Sequence, residues 1–400
     1  MTKRIAIHIT PAAERAVRSG HPWLFEQAIR KQSHEGESGD LAVIFDHDRR
    51  FLAIGLYDPH SPIRVKILQH GTPASIDLDW FTARLRAAVG IRAPLLTPQT
   101  DGCRLVHGEN DGFPGLVVDR YADTLVLKLY TSAWLPHLQD ITTALQRVQS
   151  FDRLVLRTSR GMQSNDLADG KILLGDDLTA PILFHENGLA FAADVVRGHK
   201  TGFFFDQRDN RSRVRDLSAN RHVLDVFAYT GGFSVYAAAG GAKSVLSVDI
   251  SEPALVAAQS NFALNQSNPR VRAAQHSILV ADAFDGLEQL RVSHRTFDMV
   301  IVDPPSFAQN AAQIEQALAA YTRLTRLALT VVNPAGGIFV IASCSSRVTP
   351  DQFFTTVLRA ASGYSLSEIA HTGHALDHPI GFPEGEYLKC LFATVKRARG

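Results

Sequence analysis

Four hundred residues, 45% of them apolar, form a chain large enough for two or three packed domains, and a formal net charge of +1 excludes a protein that coats nucleic acid through its overall field. No run reaches the roughly 18 to 20 uninterrupted apolar residues of a membrane helix, and the opening from Met1 to Ile5 leads into polar residues rather than a signal-peptide core, so a cytoplasmic chain without a membrane partner is expected. The three cysteines, Cys103, Cys344 and Cys390, form no CxxC pair, which argues against a disulfide framework and against a metal site.

Residues 1–75 read as a small β-rich unit. Short alternating runs at Leu41 to Phe45, Phe51 to Leu56 and Ile63 to Leu68 are punctuated by Gly36, Gly39, Asp58 and Pro59, and strands this closely spaced predict a compact barrel. Residues 76–186 mix helical periods (Trp80 to Ile91, Leu135 to Val148) with strands (Leu116 to Asp119, Leu125 to Leu129, Arg153 to Arg157), the pattern of a small α+β domain. Across residues 187–400, strands alternate with helices of ten or more residues, which predicts an α/β, doubly wound, mostly parallel Rossmann-like sheet. Its strands are expected at Val223 to Phe227, Ser244 to Asp249, Ser277 to Ala281, Met299 to Asp303, Gly337 to Ser343, Tyr364 to Ile369 and Tyr387 to Lys396, with helices at Pro253 to Asn265 and Ala312 to Val332.

Ligands of such sheets bind outside the carboxyl ends of the strands. Those ends carry, in order, Asp225 with the loop from Phe227 through Thr230 and Gly231, then Asp249 with Ile250, then Asp282 with Ala283, then Asp303. Glycines let the first loop approach a ligand closely, and a carboxylate ending the second strand can accept both hydroxyls of a ribose. A three-glycine pyrophosphate cradle is missing. That favours a nucleoside ligand without phosphates, for which S-adenosylmethionine is the common case, with Asp282 accepting from the adenine amino group. For any one of these aspartates a helix N-cap is the plain alternative; four in order favour a site.

Asp303 and Cys344 end neighbouring β-branched runs, so a carboxyl and a thiol can share one pocket at the sheet edge. Pro304 and Pro305 stiffen the loop after Asp303, and Phe307 can either stack on an extruded base or pack in the core. The arginines at 208, 211, 213, 215 and 221 read equally as a solvated helix face or as phosphate contacts. Trp23 and Phe25 read as core, which leaves Lys3, Arg4, Arg15 and Arg18 as the phosphate-contact candidates for RNA. His374, Asp377 and His378 read as a loop cap rather than a metal site.

Several of these runs resemble one known family. The segment Gly198 to Arg211, the Asp225 loop, Asp303 to Phe307, Ser343 to Ser345 and Phe382 to Lys389 resemble the RlmI-type family of ribosomal RNA 5-methylcytosine methyltransferases. Ser19 to Phe25 resembles the opening of that family's PUA domain, and Arg104 to Asp119 its central domain, so the likeness spans nearly the whole chain. The resemblance implies a three-domain, S-adenosylmethionine-dependent enzyme acting on large-subunit ribosomal RNA, with Gln207 and Arg208 near the cofactor; no metal is expected, and a homodimer is left open. It also implies that Cys344 adds to carbon 6 of cytosine while Asp303 hydrogen-bonds ring nitrogen 3. Relatives that modify a guanine nitrogen carry asparagine where Cys344 stands; a noncatalytic RNA-binding assembly factor is the rival from another class. Ser306 departs from a common lysine and Cys390 from a frequent glycine.

Overall fold

The computed structural model describes residues 3–162 and 168–398; Met1 and Thr2 of the N-terminal run lie outside them. The chain divides into two compact units. One holds residues 1–184, 193–205 and 376–385, the other residues 185–192, 206–375 and 386–400.

In the first unit, a six-stranded sheet runs in the order Trp23–Phe25, Ile63–His70, Phe51–Tyr57, Leu41–Phe45, Arg4–Ile9, Ile29–Gln32. Arg4–Ile9 pairs in parallel with Leu41–Phe45; the other pairings are antiparallel. Three of these strands, Arg4–Ile9, Trp23–Phe25 and Ile29–Gln32, were not among those expected; the last two, at three and four residues, are too short for a strand period to show. A five-stranded sheet follows in the order Lys171–Leu174, Arg153–Thr158, Thr124–Leu129, Leu116–Tyr121, Gly102–His107. Phe81, Leu85 and Ala88 of helix Leu78–Arg92 and Ile141, Ala144 and Leu145 of helix Leu138–Val148 join its core. The second helix starts three residues later than expected. Pro136 has no N–H and crowds the turn before it, so Ser132–His137 winds as a 3-10 turn capped by Thr131 before the α-helix begins.

The second unit is built on a seven-stranded sheet, whose strands are numbered here β1 (His222–Val226), β2 (Ser244–Asp249), β3 (Gln275–Val280), β4 (Met299–Val302), β5 (Gly337–Ser343), β6 (Tyr364–Thr372) and β7 (Lys389–Arg397). The order is β3-β2-β1-β4-β5-β7-β6. The first five are parallel, and β7 runs antiparallel between β5 and β6. This is the Rossmann-like arrangement expected, with its antiparallel strand at the C-terminus. The strand order reverses between β1 and β4, so the crevice where such sheets hold ligands opens beside Val226 and Val302.

Every residue of β4 and of β5 is buried. Leu224, Val300, Val302, Phe339 and Ile341 form one cluster with Leu287, Leu324 and Phe353 from the flanking helices, each such side chain contributing about 1.5–3 kcal/mol of gross burial energy. That rigid floor fixes where the strand tips sit.

The arginine-rich helix Arg208–Leu217 is neither a solvated face nor a phosphate grip at its start. Arg208 and Arg211 are buried against Glu186, with Arg211 donating from Nε at 2.9 Å and Nη2 at 2.8 Å, Arg208 Nε lying 3.2 Å from Oε2, and Tyr236 donating to Oε1 at 3.0 Å. Buried charges persist only when paired in this way. Arg213 instead lies over the Phe392 ring, 5.6 Å from its centroid. Among the described residues, no helix is long and apolar enough to cross a membrane.

Candidate active site

The loop after β1 holds an unusual backbone. Phe227 (φ 64°) and Tyr229 (φ 48°) occupy the left-handed region without being glycine, and Gly231 (φ 76°) precedes the helix Gly232–Ala239. A side chain at Gly231 is strained by that φ, and its Cβ would come within 2.8 Å of Ala258 Cβ, so glycine is required. Non-glycine residues kept in this region mark places where surrounding structure overrides a local cost. Here Asp249, at the tip of β2, accepts from Tyr229 N and from Ser251 N, both at 2.9 Å, and so ties the first loop to the second. Ile250 follows it with 71% of its surface exposed, an apolar face left open at the crevice.

Asp225 lies beneath this loop. It is fully buried, accepts from Ser234 Oγ at 2.6 Å through Oδ2, and has no hydrogen bond to Oδ1 among the described residues. Burial pushes its carboxyl up to about 7, aided by the charge of Asp249 and opposed by the Ser234 hydrogen bonds. Because the folded state then holds a proton that the unfolded chain releases near pH ~3.9, this group's contribution to stability is fully present below about pH 4 and is lost as pH rises through about 7. Asp225→Asn is expected to remove that slope, about 1.4 kcal/mol per pH unit, from urea unfolding measured between about pH 4.5 and 7; a variant with the wild-type slope would contradict the assignment.

Of the expected cofactor contacts, Asp225 and Arg208 are buried, 0% and 2% exposed, Asp225 beneath the loop after β1 and Arg208 against Glu186 at the helix start. Asp282 is an N-cap, its Oδ1 accepting from Phe284 N at 2.9 Å at the start of the helix Ala283–Val292; it remains exposed, while Ala283 is buried.

At the tip of β4 the side chains converge. Asp303 Oδ1 accepts from Gln207 Nε2 at 2.9 Å, Gln207 Oε1 accepts from Asn210 Nδ2 at 2.5 Å, and Asn210 Oδ1 accepts from Thr372 Oγ at 2.5 Å. This chain fixes which end of each amide faces which partner, so Gln207 presents a donor to the carboxyl. The backbone N–H of Asp303 reaches Val226 O on β1 at 3.3 Å. Part of Asp303 stays open to solvent, yet the packed surroundings push its carboxyl up to about 7; desolvation is the main cause, the nearby Asp206 and Asp225 charges add to it, and Gln207 opposes it.

Cys344, half-buried at the tip of β5, donates from Sγ to Pro304 O at 3.7 Å, which sets the thiol against the loop that begins with Asp303. The two strand tips do share one place. Ser306 and Ser345 both donate to Ala308 O, at 3.0 and 3.3 Å, and lace the two loops together. Phe307, half-buried, packs edge-on to Tyr321 at 5.0 Å.

In the first unit, Arg4 and Arg15 are exposed and form no ion pair among the described residues. Lys3 lies 3.9 Å from Glu37, and Arg18 is held by Glu14 at 3.0 Å and Asp46 at 2.7 Å, which occupies it. Trp23 donates to Glu109 at 2.9 Å and packs on Phe382, 5.1 Å between centroids, while Phe25 is exposed. In the second unit, His374 Nε2 accepts from the backbone of Tyr387 and Leu388, at 3.2 and 2.9 Å. No group of three or more possible metal ligands occurs among the described residues. Asn210, Thr372 and Lys389 were not singled out from the sequence; Asn210 and Lys389 stand inside the resembling runs, whereas nothing local marks Thr372.

Residues 106–395 match a sequence family described as S-adenosylmethionine-dependent methyltransferase, and residues 7–70 match a PUA-like domain. The chain is 46% identical over 400 residues to a ribosomal RNA large subunit methyltransferase of Deinococcus radiodurans, covering 97% of each chain. It is 37% identical over 402 residues to ribosomal RNA large subunit methyltransferase I of Shewanella denitrificans, covering 98% of this chain and 99% of that one. Its fold matches that of a solved candidate methyltransferase, SMU.776, complexed with SAH, with a TM-score of 0.83 at 22% identity over 98% of this chain and 100% of the other.

Proposed function

Since the chain belongs to the S-adenosylmethionine-dependent methyltransferase family and carries a PUA-like domain, we propose that it forms 5-methylcytosine in large-subunit ribosomal RNA through a covalent Cys344 adduct. Its cofactor is S-adenosylmethionine, which when bound supplies an electrophilic methyl group. The residues at the β1 and β2 tips fit that group: the loop from Phe227 to Gly231 approaches closely, Asp249 is pre-oriented by two backbone N–H groups to accept the ribose hydroxyls, and exposed Ile250 offers an apolar face to the adenine. Asp282 and Ala283 would border the adenine amino group. Asp225, Gln207 and Arg208 act from behind this surface.

Carbon 5 of cytosine is a weak nucleophile. In the proposed reaction the Cys344 thiolate adds to carbon 6, forming a carbon–sulfur bond at the expense of the carbon 5–carbon 6 double bond and giving an enamine whose carbon 5 would take the methyl group, the methyl–sulfonium bond breaking to leave a neutral thioether. A base then removes the carbon 5 proton, the carbon 5–carbon 6 double bond reforms and the thiolate leaves. Asp303, protonated near neutral pH and held at one oxygen by Gln207, donates from its other oxygen to ring nitrogen 3 and offsets the charge that develops there. The single observation that supports this reading most is the contact between Cys344 Sγ and Pro304 O, which sets a thiol beside the loop of a carboxyl that keeps its proton.

The substrate assignment rests on the named relatives and on the PUA-like region, where exposed Arg4 and Arg15 are free to meet phosphates. The division at residues 75/76 and 186/187 into PUA-like, central and methyltransferase domains is part of the same proposal. Incubating the enzyme with labelled cofactor and unmodified large-subunit RNA, then digesting to nucleosides for mass spectrometry, should give 5-methylcytidine; a methylguanosine would replace this reading by nitrogen methylation, and no product by a binding role.

A further inference from the structure

We propose that Lys389 is the positioning residue that activates Cys344: its ammonium group, anchored in the turn that carries the thiol, stabilises the thiolate. This deepens the proposed covalent reaction and rests on it.

Lys389 opens β7, directly opposite Ser343 in the antiparallel register with β5. Only 2% of it is exposed. Its Nζ donates to Ser345 O at 2.5 Å and Val348 O at 2.7 Å, and so clasps the turn immediately after Cys344. No carboxylate among the described residues lies within ion-pair distance of it, although buried lysines ordinarily need a counter-ion. A buried cation satisfied only by neutral carbonyls, one residue from a thiol, lacks an anion that a thiolate can provide.

Besides Cys344, the titratable groups that act on this place are Tyr321, Asp303 and Glu386. Tyr321, on the helix Ile314–Thr330, shares a 2.8 Å hydrogen bond with Ser343 Oγ, and burial keeps its hydroxyl neutral. Asp303 holds its proton up to about 7. Exposed Glu386 and Cys344 itself support the charged lysine, whose ammonium burial lowers to about 8. On ionisation the thiol proton passes to water, leaving a thiolate and ammonium pair ready to attack.

The test uses the full chain and needs neither RNA nor cofactor. Alkylation of Cys344 by iodoacetamide is followed against pH, with Cys344→Ala giving the background from Cys103 and Cys390, both fully buried. The wild-type thiol should titrate about one unit or more below the ordinary value near 8.5. Lys389→Met should raise that midpoint and slow alkylation at pH 7 roughly tenfold. A wild-type thiol that titrates at or above the ordinary value overturns the proposal whether or not the variant folds. So does a cooperatively melting Lys389→Met protein with an unchanged midpoint. Because only the thiol is read, a chain that proved to methylate a different base would fail the nucleoside analysis and not this one.

Discussion

Replacing Cys344 by alanine is expected to lower methyl transfer by on the order of 10⁴-fold or more while leaving cofactor affinity within about threefold. The asymmetry comes from position. Cys344 follows the end of β5, whereas the surfaces proposed for the cofactor end β1, β2 and β3, and the alanine side chain removes the sulfur that donates to Pro304 O at 3.7 Å. Asp249 is oriented by the backbone N–H groups of Tyr229 and Ser251. The check is a single-turnover assay with labelled cofactor beside equilibrium dialysis of the same cofactor. Full activity in the variant would remove the covalent mechanism, and a large loss of cofactor binding would show the residue acting through the fold.

Asp303→Asn is expected to cost about 10²- to 10⁴-fold in turnover and to change the pH profile in a defined direction. In the wild type the acid form does the work, and its midpoint near 7 places a falling limb above neutrality as the carboxyl ionises. The Cys344 thiolate supplies the rising limb below it. Asparagine cannot ionise, so the falling limb should disappear and the residual rate should keep rising with the thiolate population until that saturates. Asparagine also keeps the shape that Gln207 and Asn210 grip, which separates lost chemistry from lost packing. A variant retaining the falling limb would assign that limb to another group.

The parts that the sequence made legible are those decided by local chemistry. β2 and β5 match expectation at both ends, because their apolar runs give way to polar residues at Asp249 and Ser343, and Asp303 and Cys344 were readable as neighbouring tips for the same reason. Phe227 and Asp303, expected as the last residues of their strands, lie one residue beyond the observed ends of β1 and β4, with the backbone in a left-handed conformation at Phe227. The three-residue strand Trp23–Phe25 is too short for any period to show. What stayed hidden depends on partners far along the chain. Arg208 and Arg211 look like surface charges until Glu186, more than 20 residues earlier, is folded against them. Lys389 looks like the polar end of a terminal strand until the β5–β7 register brings it under the turn after Cys344. The hydrogen-bond chain from Thr372 to Asp303 spans residues with no common motif.

The central claim is that Cys344 bonds covalently to the cytosine ring while Asp303 holds it. Ribosomal RNA fragments containing 5-fluorocytidine test it most directly, because fluorine at carbon 5 cannot leave as a proton and the reaction should halt with the sulfur still attached to carbon 6. With cofactor present, a protein–RNA species that survives denaturation is expected, and peptide mass spectrometry should place the RNA on Cys344. An efficiently methylated RNA with no such species, or a species that persists in Cys344→Ala, would contradict the account.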